Sequence, residues 1–402
     1  MRLAGAKPAK MRAARPKAKR PARKRKRWAR LPRVDRKPGR EENARPYPPD
    51  RAPAPMSAVP QASVAAERKA FYDRIDKSNI APLWEVLHSL ITPTPNTPCK
   101  PYLWEWRQVW PWIQEAGKLI TAKEAERRVL VLENPGLRGR SRVTHSLYAG
   151  LQLILPGEVA PAHRHTQSAL RFIVHGKGAY TAVDGERVTM SPGDFIITPS
   201  WTWHDHGNPS AEPMVWLDGL DIAIVELLDA QFLERPGVES QHTSRTEGES
   251  FARFGNTMLP VDFKPKTKTS PLFWYPYERT RRALAELAKA GDPHACYGHK
   301  LKFTNPATGG WAIPTIGSFM QLLPKGFRGK TYRSTDSTCY SVVEGKGRVE
   351  VAGESFPFGP KDHFVVPSWA PHALEADDEV VLFSFSDRPV QEALDLFREQ
   401  AG

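Results

Sequence analysis

The sequence predicts a mainly β chain of two small barrels, with helices before, between and after them. An internal repeat is the first sign: Val174-His175-Gly176-Lys177-Gly178 recurs as Val343-Glu344-Gly345-Lys346-Gly347, an offset of 169. Pro199-Ser200-Trp201 recurs as Pro367-Ser368-Trp369 and Leu155-Pro156 as Leu323-Pro324, both at 168, so one β unit occurs twice. A second sign is texture. From Leu147 the chain reads as short apolar runs broken by Gly and Pro, and Asp184-Gly185 is a hairpin signal. The same texture resumes near Ile316.

Taken in order, residues 1–55 hold 20 Lys and Arg against four acids (Asp35, Glu41, Glu42, Asp50) and ten prolines. So little apolar surface cannot offset the entropy of ordering, and the segment is expected to be disordered. It reads as a polyanion-binding arm, as an organelle-targeting peptide, or as upstream sequence with translation starting at Met56. The third is preferred because composition breaks sharply at Met56-Ser57-Ala58. Residues 56–146 form an N-terminal helical segment and leading strands, with 63–90 in two helical pieces divided around Asn79–Pro82. The aromatics Tyr102, Trp104, Trp106, Trp110 and Trp112 read as packing residues. The first barrel spans 147–234, a linker with an amphipathic helix at 277–291 spans 235–310, the second barrel 311–388, and a closing helix 389–402.

Charge and cysteines exclude several classes. The whole chain carries +14, with 58 Lys and Arg against 44 Asp and Glu. All of that excess sits in the tail, since residues 56–402 carry 38 bases and 40 acids, a net −2. A nucleic-acid partner is therefore not expected outside the tail. Three scattered cysteines (Cys99, Cys296, Cys339) show no disulfide or zinc framework. No apolar run nears the roughly 18–20 residues that span a bilayer. A reduced, cytoplasmic setting is expected.

One constellation carries chemistry. Gly157 is followed after five residues by His163-Arg164-His165, and Gly193 after five by Pro199, then His204-Asp205-His206 and Asn208. These resemble the two motifs of cupins, which makes the expected fold a bicupin: two double-stranded β-helix (jelly-roll) barrels. Residues two apart on a strand share a face, so His163 and His165 project together into the barrel. His204 completes a three-nitrogen face that leaves coordination positions open, as a catalytic metal requires. His206 on the same segment is an alternative third ligand. The histidines could also be polar lining that binds no metal. The glutamate that cupins usually place after His-x-His is missing, its positions being Ala169 and Leu170. In the second copy Tyr332 and Ser334 replace the first two histidines and only His372 remains, so that barrel is expected to be metal-free.

The stretch SLYAGLQLILPGEVAPAHRHTQSALRFIVHGKGAYTAVDGERVTMSPGDFIITPSWTWHDHGN resembles gentisate 1,2-dioxygenases, as does EAERRVLVLENPG upstream. The resemblance implies Fe(II)-dependent cleavage of a gentisate ring by O2 between the carboxyl-bearing and adjacent hydroxyl-bearing carbons, giving maleylpyruvate. It also implies a homotetramer and a role in aromatic compound degradation. It implies that Arg127, Gln152, Arg171 and His206 contact the substrate, with His206 handling a proton, and that Trp216 and Asp218 line the pocket. Arg171, between Leu170 and Phe172, would be a costly unpartnered charge without such a role. One of Arg127 and Arg128 could instead pair with Glu124 or Glu126 on a helix surface. Tyr148 reads equally as pocket or core. The alternatives are a salicylate or 1-hydroxy-2-naphthoate 1,2-dioxygenase on the same scaffold, or a non-enzymatic cupin that binds an aromatic acid.

Overall fold

The computed structural model describes residues 61–402, so the tail reading for residues 1–55 lies outside the described residues. Helix Gln61–Asp76 lies in an N-terminal unit that ends at Pro82, and the second unit, Leu83–Gly402, holds everything below. That unit begins with helix Leu83–Leu90. Pro82, immediately before it, suits the start of a helix, where a missing N–H costs nothing.

Each sequence copy folds as a jelly roll of two antiparallel sheets. In the first, strands Tyr148–Ile154, Ala169–His175, Phe195–Thr198 and Met214–Leu220 form the larger sheet, extended by Val129–Val131 and Trp274–Tyr275. Strands Val159–His165, Tyr180–Val183, Glu186–Thr189, His204–Gly207 and Leu233–Glu234 form the smaller. Asp184 and Gly185 both take positive φ (44° and 81°), the two left-handed residues of a tight hairpin turn. The second copy repeats the plan with Gly317–Leu323, Thr338–Glu344, His363–Val366 and Val380–Ser386 in its larger sheet. Here the N-terminal segment contributes directly, because Tyr102–Trp104 pairs with His363–Val366.

The repeat extends to details. Trp201 and Trp369 both hold positive φ, 63° and 61°, and an arginine lies over each ring, Arg164 at 4.6 Å and Arg333 at 4.7 Å. The two larger sheets pack back to back in one continuous core, where Phe172 and Phe383 stack with centroids 4.2 Å apart. Two buried aspartates bind across that junction reciprocally. Asp221 accepts from Ser168 N at 2.8 Å and from the Thr315 hydroxyl of the other copy. Asp387 accepts from Ser337 N at 3.0 Å and from Ser146 Oγ of the other copy at 2.8 Å.

The linker helix forms as Tyr277–Ala290. The closing helix differs from expectation: only Arg388–Ala393 is helical, Asp395 turns the chain at φ 58°, and Glu399–Ala401 pairs as an edge strand on Tyr332–Ser334. Its apolar residues Leu394 and Leu396 stay exposed while Phe397 stacks on Arg388 at 3.9 Å. Ladder hydrogen bonds on an open sheet edge outweigh the weak helical propensity of this short segment.

Candidate metal centre

His163 and His204 stand opposite each other on paired strands, and His165 lies two residues further along the same face. Their ring centroids are 4.2 Å (His163–His204), 4.8 Å (His165–His204) and 5.2 Å (His163–His165) apart. One nitrogen from each lies within 4.8 Å of the others, the only such cluster of metal-binding side chains among the described residues.

The backbone sets which nitrogen faces inward. Each Nδ1 lies against a carbonyl two residues away: His163 on Pro161 O at 3.1 Å, His165 on Gln167 O at 2.8 Å, and His204 on Thr202 O at 3.0 Å. An imidazole donating from Nδ1 carries its lone pair on Nε2, so Nε2 of His165 and His204 is left as a ligand, and His163 offers the same atom in the tautomer that donates to Pro161 O. His204 Nε2 is buried without a hydrogen-bond partner, a deficit that a cation would remove. Burial, then the Arg127 charge, pushes His163 down to about 3. Burial pushes His165 down to about 4 and His204 well below its usual value. Three neutral imidazoles are what a metal ion needs.

His206 shares the inner face with His204, its ring centroid 6.0 Å away, so it flanks the cluster. Its Nδ1 is 2.8 Å from Thr181 Oγ1 and its Nε2 is buried and unpartnered. Burial and the charges of Arg171 and Arg127 hold it neutral, well below 6.5.

The larger sheet supplies the opposite wall. Asp218 is cross-strand from both Gly150 and Arg171, and Trp216 from Gln152, so Gln152, Arg171, Trp216 and Asp218 share the inner face. Trp216 Nε1 donates to Asp218 Oδ1 at 3.0 Å, and Arg171 Nε lies 3.6 Å from the same oxygen. Arg171 also donates to Thr198 Oγ1, yet its Nε has no hydrogen-bond partner. Burial raises Asp218 to about 6, against the pull of Arg171. Tyr148 fills the space beside Gly150: a Cβ there would sit 2.7 Å from the Tyr148 hydroxyl and 2.4 Å from Val129. Burial, then Asp218, pushes the Tyr148 phenol up.

The two neighbouring arginines part company. Thr121 and Glu124 form a capping box on the turn Ala122–Ala125, and Glu126 then takes φ 51°, which ends the helix. Arg127 therefore enters the site, donating to Pro161 O at 2.7 Å with Nη2 2.5 Å from His163 Nδ1. Arg128 turns away and binds Glu158 through two bonds of 2.9 and 2.7 Å. Pairing thus absorbs Arg128, with a glutamate 30 residues on rather than Glu124 or Glu126.

A strap that sequence reasoning missed borders the mouth. Leu233–Glu234 pairs with Arg164 and His165, Glu234 binds Arg164 at 2.5 Å, and Arg235 binds Glu126 at 2.9 Å. A two-residue strand carries no periodic signal; only the complementary charges at 126, 164, 234 and 235 hint at it. Between strap and barrel lies a cavity of about 330 Å³ lined by Arg127, Pro161, His163, His165 and Leu233 among others.

Comparison with known proteins fits this geometry. A family described as "Cupin domain" matches residues 150–220 and 318–385, once per barrel. Gentisate 1,2 dioxygenase 1 of Aquipseudomonas alcaligenes is 56% identical over 86% of this chain and 99% of its own length. A Streptomyces gentisate 1,2-dioxygenase is 39% identical over 85% and 98%. The crystal structure of a salicylate 1,2-dioxygenase from Pseudoaminobacter salicylatoxidans, in adducts with gentisate, superposes with a TM-score of 0.80 at 34% identity. That match covers 87% of this chain and 96% of the other.

Proposed function

Because this chain belongs to the gentisate 1,2-dioxygenase family of two-barrel ring-cleaving enzymes, we propose that it is a gentisate 1,2-dioxygenase that uses Fe(II) and O2. It would open the ring between the carboxyl-bearing carbon and the adjacent hydroxyl-bearing carbon, giving maleylpyruvate. The observation that carries this reading is the triad of backbone-anchored histidines facing the buried Arg171 and the half-buried Arg127. Catalysis then belongs to the first barrel, 147–234, while the second, 311–388, holds no metal.

His163, His165 and His204 would hold the iron, which when bound lets an electron-rich ring pass electron density to dioxygen. The chain's own residues bind and orient. Gentisate is anionic, and burial lowers Arg127 only to about 10, so it remains a cation at neutral pH. With Arg171 it offers planar N–H pairs that suit a carboxylate. Asp218 and Thr198 fix the Arg171 guanidinium, and Trp216 fixes Asp218. Gln152 and Tyr148 complete the wall that places the ring. Thr181 accepts the His206 Nδ1 proton, which makes Nε2 the free basic atom. His206 Nε2 takes the proton of a substrate hydroxyl and can return it.

Family membership also supports a homotetramer. Among the described residues no helix is long and apolar enough to cross a membrane, and the three cysteines are buried and unpaired. Both facts support a cytoplasmic setting. The deciding experiment is anaerobic Fe(II) loading followed by oxygen uptake with gentisate, salicylate and 1-hydroxy-2-naphthoate. Rapid uptake with gentisate is expected; iron-loaded protein that consumes oxygen with none of the three would overturn the enzyme. His163→Ala should cost at least tenfold in iron affinity, and unchanged iron content would refute the ligand set.

A further inference from the structure

The second barrel has lost the metal-ligand pattern yet keeps a cavity of about 300 Å³ in the same place. Tyr332 and His372, which occupy the positions of His163 and His204, face each other across paired strands with ring centroids 5.6 Å apart. On the opposite wall Tyr340 replaces Arg171, and Phe319 replaces Gly150. A new cation enters from strand His299–Lys302: Lys300, cross-strand from Gln321, places Nζ 4.4 Å from the Phe319 ring centroid and 5.9 Å from that of Tyr340.

Charge pairing in this cavity is lopsided. Its two glutamates are engaged: Glu392 accepts from Arg388 Nε at 2.7 Å and Trp311 Nε1 at 2.8 Å, and Glu399 accepts from Tyr332 Oη at 2.6 Å. Lys300, by contrast, has no carboxylate within 4.0 Å among the described residues; Asp336 acts on it only from farther away. Two fully buried polar atoms on the same inner wall also lack partners, Ser384 Oγ and Gln321 Oε1. Ser384 is directly cross-strand from both Phe319 and Tyr340, in the barrel wall behind these two rings. A cation with no carboxylate partner, in an aromatic-walled cavity of ligand size, marks a binding site for an anionic ligand.

We propose that the second barrel binds a small aromatic carboxylate, its carboxyl group on Lys300 and its ring against Phe319, Tyr340 and Trp311. Burial brings Lys300 down to about 8, so the ammonium is still present at neutral pH. His372 Nδ1 lies 3.3 Å from Ala370 O, which leaves Nε2 free to accept from a ring hydroxyl. The site depends neither on the iron nor on the ring-cleavage reaction.

The test titrates Fe(II)-loaded enzyme with benzoate, which has no ring hydroxyl, by calorimetry and counts equivalents per chain. K300M should bind one equivalent fewer than the parent protein, its affinity at that site weakened at least tenfold, with ring-cleavage kcat unchanged in the absence of benzoate. K300R, which keeps the charge, should retain the full count. Equal counts in the parent and K300M, each folded by its melting transition, overturn the proposal. If K300M does not fold, K300Q takes its place with the same two outcomes.

Discussion

At the scale of single residues, the site depends on which nitrogen of each histidine the backbone occupies. Carbonyls two residues away meet Nδ1 in all three triad members, Arg127 meets that of His163 as well, and Thr181 meets that of His206, so each ring is oriented by a partner outside the cluster. His206→Asn should therefore lower kcat by about 10²–10⁴-fold and leave the iron content as it was. Metal analysis beside steady-state kinetics reads this, and loss of iron would recast His206 as a ligand. The triad and Arg171 were legible because spacing two on a strand and a charge between apolar neighbours are local signals. That Arg127 rather than Arg128 turns inward was legible only through the family resemblance and not from local pattern, since Glu126 with φ 51° decides it, and a left-handed non-glycine residue leaves no mark in composition.

Among elements, the strap at Leu233–Glu234 has an effect out of proportion to its length. The Arg164–Glu234 pair is partly solvent-exposed, and such pairs stabilise a fold by about 1 kcal/mol or less. Glu234→Ala should thus leave the melting temperature nearly unchanged while raising KM for the substrate about threefold, because the strap borders the mouth beside His165. Unchanged KM would show the strap to be idle. The closing segment 389–402 teaches the opposite lesson: its apolar spacing imitates a helix, and only an edge strand 67 residues earlier in sequence reveals that it will pair as β. Non-local pairing of this kind is invisible to a window of a dozen residues.

For the whole molecule, pH dependence follows from what the cores hold neutral. His163, His165, His204, His206, His363 and His372 are all held below 6.5 by burial first. Unfolded, they would bind protons near 6.5, so their share of stability is complete above that pH and is lost as pH falls through it. Asp218, Asp221 and Asp387 are raised to about 6 and oppose this, since their folded forms favour the proton between about 4 and 6. Asp184, Glu186, Asp194 and Asp362 are raised as well, so the histidines prevail not by number but by titrating first as pH falls from 6.5. Urea midpoints of metal-free protein should be flat above pH 7 and fall between pH 6.5 and 5; a midpoint that rises over that window would refute the assignment.

The paired aspartate bridges have a historical meaning. Asp221 reaches Thr315 in the other copy just as Asp387 reaches Ser146, and each aspartate also holds a serine N–H of its own copy. Such exchange, residue i to j and j to i, is the signature of an isologous interface between identical subunits. A single ancestral barrel carrying one aspartate and one hydroxyl could satisfy both bridges by pairing with itself. The connecting segment 235–310 then joins two partners already fitted to each other. Cutting it proteolytically near the exposed Met258–Val261 turn should leave two fragments that co-elute in gel filtration, held by the contacts an unlinked pair would have used.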